Sequence, residues 1–97
     1  MVHKIVWSAL AVKTYVDNIE YLEKEWSEKE VVNFIAAVKR KLLSLSLQPR
    51  LGVTTNKRAN IRKTIVNKRI LLIYRHKPQK KEIELIRFFN TYQYPVW

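Results

Sequence analysis

The segment from Asn60 to Arg75 constrains the fold of this chain more than any other. Its sequence, NIRKTIVNKRILLIYR, has two runs rich in Ile, Leu, Val and Tyr on either side of Asn67-Lys68, which is the pattern of a tight β-hairpin. The second run is apolar at all five positions from 70 to 74, and such a run is typical of a strand that is buried on both faces. The sequence therefore predicts a hairpin whose second strand lies at the centre of a sheet.

The first quarter of the chain is predicted to form a strand followed by a helix. Residues 2–7 alternate loosely between polar and apolar, which predicts a short strand that ends at Ser8, the expected N-cap of the helix. Apolar residues then recur at spacings of three and four from Ala11 to Trp26. This is the stripe of an amphipathic helix over about residues 9–25.

A second amphipathic helix is predicted to follow without a spacer. Ser27 is expected to cap the N–H of Glu30, and the Glu30 carboxylate is expected to bond the N–H of Ser27 in return. The helix must end before Pro49, because the residue before a proline disfavours helical geometry. Two helices joined in this way form an antiparallel helical hairpin whose apolar faces need a sheet to cover them.

The remainder of the chain is predicted to supply that sheet. Residues 48–59 contain the only glycine, Pro49 and several small polar residues, so we predict a surface loop there. The central hairpin follows, then a turn at 77–80 and a last strand over 82–89. The predicted fold is α+β, in the order β-α-α-β-β-β, with an N-terminal strand and helical hairpin packed on a small, mainly antiparallel sheet in one domain over residues 1–97.

The charge of the chain is large and polarised. The net charge is +11, and residues 31–81 hold 14 Lys or Arg and no acidic residue, whereas six of the eight acidic residues lie between Asp17 and Glu30. Such a field favours an anionic partner, either nucleic acid or an acidic protein. A basic surface that serves only solubility is the simpler alternative.

Several kinds of site have no support in the sequence. The chain contains no cysteine, which excludes disulfides and thiolate metal sites. His3 and His76 are the only histidines and lie far apart in sequence without companion ligands, so we predict no metal site. No glycine-rich phosphate loop or catalytic triad pattern is present, and we expect no cofactor and no small-molecule substrate. Without a signal peptide or a membrane-spanning apolar run, the expectation is a cytoplasmic protein that does not bind membranes.

Residues along nearly the whole chain share the pattern of one known family. They are Val6-Trp7-Ser8 with Ala11; Ile19, Tyr21-Leu22, Glu25-Trp26, Val31 and Phe34-Ile35-Ala36 in the helical hairpin; Leu45, Pro49 and Gly52 at its exit; and Arg62, the run 69–74 and the C-terminal run 88–95. In their order and spacing they resemble the RelE/ParE superfamily, the toxins of bacterial type II toxin–antitoxin systems, also called plasmid stabilisation proteins.

The resemblance implies a small toxin that is neutralised by a cognate acidic antitoxin. Relatives on the RelE side cut mRNA in the ribosomal A site, whereas relatives on the ParE side block DNA gyrase and are not nucleases. Because the helical hairpin is closer to the ParE pattern, the first expectation is growth inhibition by binding an essential target, foremost DNA gyrase. The alternatives are a ribosome-dependent mRNA endoribonuclease and a basic binding module that is not toxic.

The central strands depart from the RelE pattern of catalytic cations. Leu71 stands three residues before Tyr74, where the RelE branch has a basic residue, and Leu cannot stabilise the charge that develops on a cleaved phosphate. Arg62 and Thr64 stand where two lysines are typical. One cation of three remains, which favours a toxin without catalysis.

Two sets of site residues follow from the resemblance and the charge pattern. If the chain is a nuclease, we expect Arg62 and Arg87 to bind the phosphate and Tyr94 to act as the base. Otherwise Arg62 and Arg87 are strand residues that pair with Glu82 or Glu84, and Tyr74 is a core residue rather than a catalytic one. The residues expected to bind the target or the antitoxin are Arg58, Arg62, Lys63, Arg69, Arg75 and Tyr92.

Overall fold

The computed structural model describes residues 2–93, so Tyr94, the base expected of a nuclease, lies outside the described residues. The elements are β1 (Lys4–Trp7), α1 (Ala9–Glu25), α2 (Glu28–Leu47), β2 (Val53–Asn56), β3 (Ile61–Asn67), β4 (Ile70–Lys77) and β5 (Glu82–Asn90). The strands form one sheet in the order β1-β5-β4-β3-β2. β1 runs parallel to β5, and the other neighbours are antiparallel. The predicted α+β class is confirmed.

Both helices begin at the predicted serine caps. Ser8 Oγ accepts from Ala11 N at 3.0 Å, and Ser27 Oγ accepts from Glu30 N at 3.3 Å. The reciprocal half of the second cap is not formed, because Glu30 Oε2 instead accepts from Lys68 Nζ at 2.8 Å. This ion pair joins the start of α2 to the turn of the central hairpin.

The central hairpin has the predicted place in the sheet. β3 pairs with β4 around Asn67-Lys68, and Lys68 has a φ of 52°, a left-handed value that tight hairpin turns require. β4 is the middle strand of five. Its residues Ile70, Leu72, Ile73 and Tyr74 are all at most 1% exposed, which agrees with the burial that the apolar run predicts.

The prediction of a surface loop over residues 48–59 was wrong in the middle of the segment. Val53–Asn56 forms the edge strand β2, with Val53 opposite Lys63 and Thr54 opposite Arg62. Val-Thr-Thr is β-branched at three consecutive positions, which suits an extended edge strand. The predicted order therefore lacked the strand β2. Glycine and proline at the start of this segment indicated a loop, and the β-branched residues that follow them were not taken as a strand.

The helices cover one face of the sheet. Phe34, Val38 and Leu45 of α2 are buried in one cluster with Leu72 and Tyr74 of β4. α1 lies against β5 and α2 against β3. None of the helices in residues 2–93 is long and apolar enough to cross a membrane.

The other face of the sheet is covered by neither helix. We call it the open face and define it by the side chains that alternate away from the helices, as the strand register gives them. It comprises Lys4, Val6, Val53, Ile61, Lys63, Ile65, Leu71, Ile73, Arg75, Lys77, Glu82, Glu84, Arg87 and Phe89.

Candidate functional site

The open face carries a cationic group built from three strands. Lys63 lies opposite Ile73, which in turn lies opposite Arg87. Arg75 lies one pleat further along β4, opposite Glu84. Alternation along the strands thus gathers cations that are far apart in sequence onto one side.

A single carboxylate serves two of these cations. Glu84 Oε1 lies 3.5 Å from a terminal nitrogen of Arg75 and 3.6 Å from Lys77 Nζ. These partly exposed contacts are long and contribute little to stability. The open face as defined carries two carboxylates, Glu82 and Glu84, and five cations, so it remains positive.

Two arginines on the open face have unsatisfied donors. The Nε atoms of Arg75 and Arg87 are both buried and have no hydrogen-bond partner among the described residues. The Arg87 guanidinium lies 5.5 Å from the centre of the Phe89 ring, a cation–π contact. The guanidinium groups of Arg75 and Arg87 are of the kind that binds a carboxylate or a phosphate.

The part of the open face around Leu71 is apolar. Val53 and Ile65 are 68% and 59% exposed, and Leu71 lies between Ile65 and Phe89 in the sheet register. Leu71, the residue that replaces a RelE-type cation, is therefore part of an apolar floor. A partner that fits this face needs acidic groups at one end and apolar side chains at the other.

Arg62 points to the helix-covered side, away from the open face. It pairs with Tyr74 in the sheet, and one terminal nitrogen donates to Gly52 O at 2.7 Å and to Arg50 O at 3.3 Å. This guanidinium holds the segment that follows α2. Its role in the structure is to fasten a loop.

Tyr74 binds the same loop, the segment that follows α2, from the core of the protein. Its hydroxyl donates to Pro49 O and accepts from Gly52 N, both at 2.8 Å. Burial raises the pKa of Tyr74, and the Gly52 N–H and the Arg62 charge act in the opposite direction. A Cβ on Gly52 would lie 2.7 Å from Lys63 O and 2.8 Å from the Tyr74 hydroxyl, so only glycine fits. The interpretation of Tyr74 as a core residue agrees with its 0% exposure.

The structure does not bring the expected catalytic residues together. Arg62 shares a face with Tyr74, whereas Arg87 shares the opposite face with Ile73. Among residues 2–93, neither Arg62 nor Arg87 forms an ion pair with a β5 glutamate, and Glu84 contacts Arg75 and Lys77 instead.

The six residues expected to bind a target or an antitoxin lie in separate places. Lys63 and Arg75 belong to the open face, and Arg62 to the opposite one. Arg58 is exposed in the turn between β2 and β3. Arg69 and Tyr92 meet at the tip of the central hairpin, which is a third location.

This hairpin tip is an aromatic cluster that sequence reasoning did not assemble. The Arg69 guanidinium lies 5.7 Å from the Tyr92 ring, and Lys68 Nζ lies 5.6 Å from the Trp26 ring. Tyr92 stacks on Tyr21 at 6.1 Å and contacts Trp26 at 5.4 Å. Only the family pattern at 88–95 pointed to Tyr92, and nothing in the sequence linked it to the helical hairpin.

The two histidines also meet, although they lie far apart in the sequence. The Nε2 atoms of His3 and His76 are 3.4 Å apart, at a pocket of about 590 Å³ that Arg50 and Lys81 also line. Burial lowers the pKa of His76, and the nearby His3, Arg50 and Arg62 lower it further. Among residues 2–93, no group of three or more His, Cys, Asp or Glu is placed to hold a metal ion.

The architecture is similar to that of a solved structure. It is the RelBE2 toxin–antitoxin complex from Mycobacterium tuberculosis: 93% of this chain aligns with 99% of a chain in that complex, with a TM-score of 0.63 and 14% sequence identity. No protein-family model matches the sequence, and no curated protein matches it. At 14% identity the likeness establishes a shared fold, and this is the fold that the RelE/ParE resemblance implied.

Proposed function

We propose that this chain is the toxin of a type II toxin–antitoxin pair. An acidic antitoxin holds it inactive, and the released toxin inhibits growth by binding an essential target in the ParE manner, foremost DNA gyrase. The observation that carries the proposal is the open face: a positive group with unsatisfied Arg75 and Arg87 donors next to an apolar floor around Leu71. A shared fold with a chain of a toxin–antitoxin complex supports it.

The side chains favour binding over RNA cleavage. A nuclease must direct several cations at one phosphate in the transition state. Arg62 faces away from Arg87 and is bonded to two backbone carbonyls, so it is not available to the same phosphate. Leu71 adds no charge at the centre of the open face.

A ribosome-dependent mRNA endoribonuclease is the second candidate. It is favoured by the name of the structural neighbour, a RelBE complex, and by the open donor of Arg87. In this version Arg87 and Tyr94 act on the substrate, and Lys63 replaces Arg62 as the second cation because it lies on the same face as Arg87.

Controlled expression in a bacterial host separates these candidates. The proposal expects growth arrest, a DNA-damage response and intact transcripts. Rapid translation arrest with cleaved mRNA would contradict it in favour of the endoribonuclease. Growth without any effect, with antitoxin binding retained, would instead identify a basic binding module that is not toxic.

The partner gene gives an independent test. A small open reading frame for an acidic protein should lie next to this gene, and its coexpression should restore growth. Arg87→Ala should weaken the complex with that protein, whereas Arg40→Ala, which removes an exposed arginine from α2, should not. Equal affinities for the two variants, or the absence of such a gene, would count against the proposal.

A further inference from the structure

A pocket at one end of the sheet is lined by basic side chains. It has a volume of about 590 Å³, and its ionisable residues are His3, Arg50, His76 and Lys81. We call it the histidine pocket. These residues lie before β1, after α2, in β4 and before β5, so the fold brings together basic groups that are far apart in sequence. Among residues 2–93, no aspartate or glutamate lines this pocket.

The two histidines are anchored parts of the pocket wall. His76 is 8% exposed, and its N–H donates to Asn60 O at 3.0 Å. His3 is half-buried, and its N–H donates to Ser46 O at 2.8 Å. Each histidine is thus tied through its backbone to another segment of the chain, which sets both imidazoles at the pocket.

The positive charge around His76 is not compensated by the protein. Burial lowers the pKa of His76, and His3, Arg50 and Arg62 lower it further. Lys81 lines the same pocket from the turn before β5. A nearby carboxylate would act on the pKa in the opposite direction, and none does so among the described residues. A bound anion would supply the missing negative charge.

The contact between the two imidazoles agrees with an anion site. The Nε2 atoms of His3 and His76 are 3.4 Å apart, and at this distance one neutral ring donates a long hydrogen bond to the other. Protonation of the accepting nitrogen breaks this hydrogen bond and leaves a positive ring close to Arg50. An anion in the pocket stabilises this charged state. Binding of an anion and protonation of the histidine pair are therefore coupled.

The lining favours a phosphate group over other anions. Arginine binds phosphate through two parallel N–H donors, and lysine binds it as a point charge. A phosphate group carries up to two negative charges, whereas a carboxylate carries one. Pro49, Leu51 and Pro78 form an apolar part of the same wall. The pocket volume is within the range of small-molecule sites, about 300–1,000 Å³, so there is space for an organic group on the phosphate.

We propose that the histidine pocket binds the phosphate group of a small molecule, either inorganic phosphate or a phosphate monoester. Arg50 and Lys81 contact the phosphate oxygens, and the pair of His3 and His76 takes up a proton when the anion binds. His76 lies two residues after Tyr74 in β4 and thus on the helix-covered side of the sheet. The pocket is therefore separate from the open face, and the proposal does not rest on the toxin function.

The test is titration of the purified chain, in a buffer without phosphate, with inorganic phosphate and with phenyl phosphate. Calorimetry gives the stoichiometry, and NMR of the imidazole protons over a pH series follows each of the two histidines of the chain. One anion should bind per chain, and the titration of the histidines should move to higher pH, because a bound anion stabilises the charged ring.

The two ligands distinguish the sources of the phosphate group. Tighter binding of phenyl phosphate would identify a site for a monoester, and equal binding a site for the free ion. Binding of either ligand without saturation, or a histidine titration that stays unchanged on binding, would overturn the proposal.

Substitutions locate the anion. Arg50→Gln and Lys81→Gln should each weaken phosphate binding about threefold or more, because each removes a charged donor to the phosphate. Arg40→Gln, which removes the same charge from the exposed side of α2, should leave the affinity unchanged. His3→Gln and His76→Gln should reduce the proton uptake on binding, and His3→Gln decides alone if the other variant does not fold. Equal weakening in Arg40→Gln and Arg50→Gln would show binding to the basic surface in general and would overturn the proposal.

Discussion

Tyr74 shows how one polar atom in the core can fix a distant loop. Its ring is fully buried, and its hydroxyl bonds the loop after α2 at Pro49 O and Gly52 N. Buried polar groups cost free energy unless they are paired, and here each partner satisfies the other. The loop in turn positions Gly52 against β3.

Removal of this hydroxyl should destabilise the fold. In Tyr74→Phe, the Gly52 N–H and the Pro49 carbonyl lose their partner, which should lower the free energy of unfolding by about 1–3 kcal/mol. Urea denaturation followed by circular dichroism measures it. Tyr21→Phe is the matched control, since the Tyr21 ring stacks on Tyr92 and its hydroxyl has no hydrogen bond among residues 2–93. A similar loss in both variants would show that the two hydrogen bonds of the Tyr74 hydroxyl are not the source of the stability difference.

The second prediction at this scale concerns the pH dependence of stability. The pKa of His76 is lowered from its ordinary 6.5 by burial and by the facing His3, Arg50 and Arg62. Below pH 6.5 the His76 imidazole therefore takes up a proton in the unfolded chain, whereas in the folded chain it does so only at lower pH. The His76 contribution to the free energy of unfolding is complete above pH 6.5 and is lost as the pH falls through the folded-state pKa.

Urea denaturation at pH 8 and at about pH 5.5 measures this loss. The original chain should lose more stability over this interval than His76→Gln, which has no imidazole at this position. The carboxylates are the same in both proteins and cancel in the comparison. Parallel pH profiles would contradict the assignment of the effect to His76.

At the scale of elements, side chains of α1 and its N-cap make hydrogen bonds to the β5 backbone that a neighbouring strand would otherwise make. β1 pairs with β5 only as far as Leu85. Beyond it, Ser8 Oγ donates to Ile86 O at 3.0 Å, and Thr14 Oγ1 accepts from Phe88 N at 2.9 Å. Polar side chains at the N-cap and on the helix thus pair backbone groups of β5 that would otherwise be unpaired at the edge of the sheet.

The threonine in this contact should matter for stability. Thr14→Val keeps the shape of the side chain but leaves the Phe88 N–H unpaired in a buried place, at an expected cost of about 1–3 kcal/mol. The same change at Thr55, whose exposed hydroxyl donates to Ile61 O at 3.2 Å, should cost less than about 1 kcal/mol. Thermal and urea denaturation of both variants measures the difference, and equal losses would refute the role given to α1.

For the molecule as a whole, the position of charge matters more than its sum. Residues 31–81 hold 14 basic and no acidic residues, but they are distributed over α2, the turns and both faces of the sheet. Lys63 lies on the open face, whereas Lys39 lies on the exposed side of α2. A partner that docks on the open face therefore responds to these two charges differently.

Association with the proposed antitoxin tests this difference. Lys63→Glu should slow association by about three- to tenfold at low salt, and Lys39→Glu, with the same change in net charge, should slow it less. The difference should shrink as salt is raised, because exposed charges are screened. Stopped-flow kinetics over a range of ionic strengths measures both effects. A rate insensitive to salt would instead indicate docking through the apolar part of the face.

Short-range patterns in the sequence determined both helices and the central hairpin of this protein. The serines at 8 and 27, the spacing of apolar residues in the helices and the five apolar residues of β4 each act over a few positions, so both helices and the central hairpin could be predicted. The edge strand β2 was missed because its pairing with β3 depends on a neighbour rather than on its own short sequence.

The tertiary structure alone decided which side chains meet. Strand alternation and register put Arg62 and Arg87 on opposite faces, and the pairing of β5 with both β1 and β4 brought His3, which precedes β1, to His76 in β4. These outcomes depend on contacts between residues far apart in the chain, for which composition and local spacing carry no signal. The sequence by itself therefore determined a basic α+β chain with a buried central hairpin, and the folded sheet determined which of its cations share a surface.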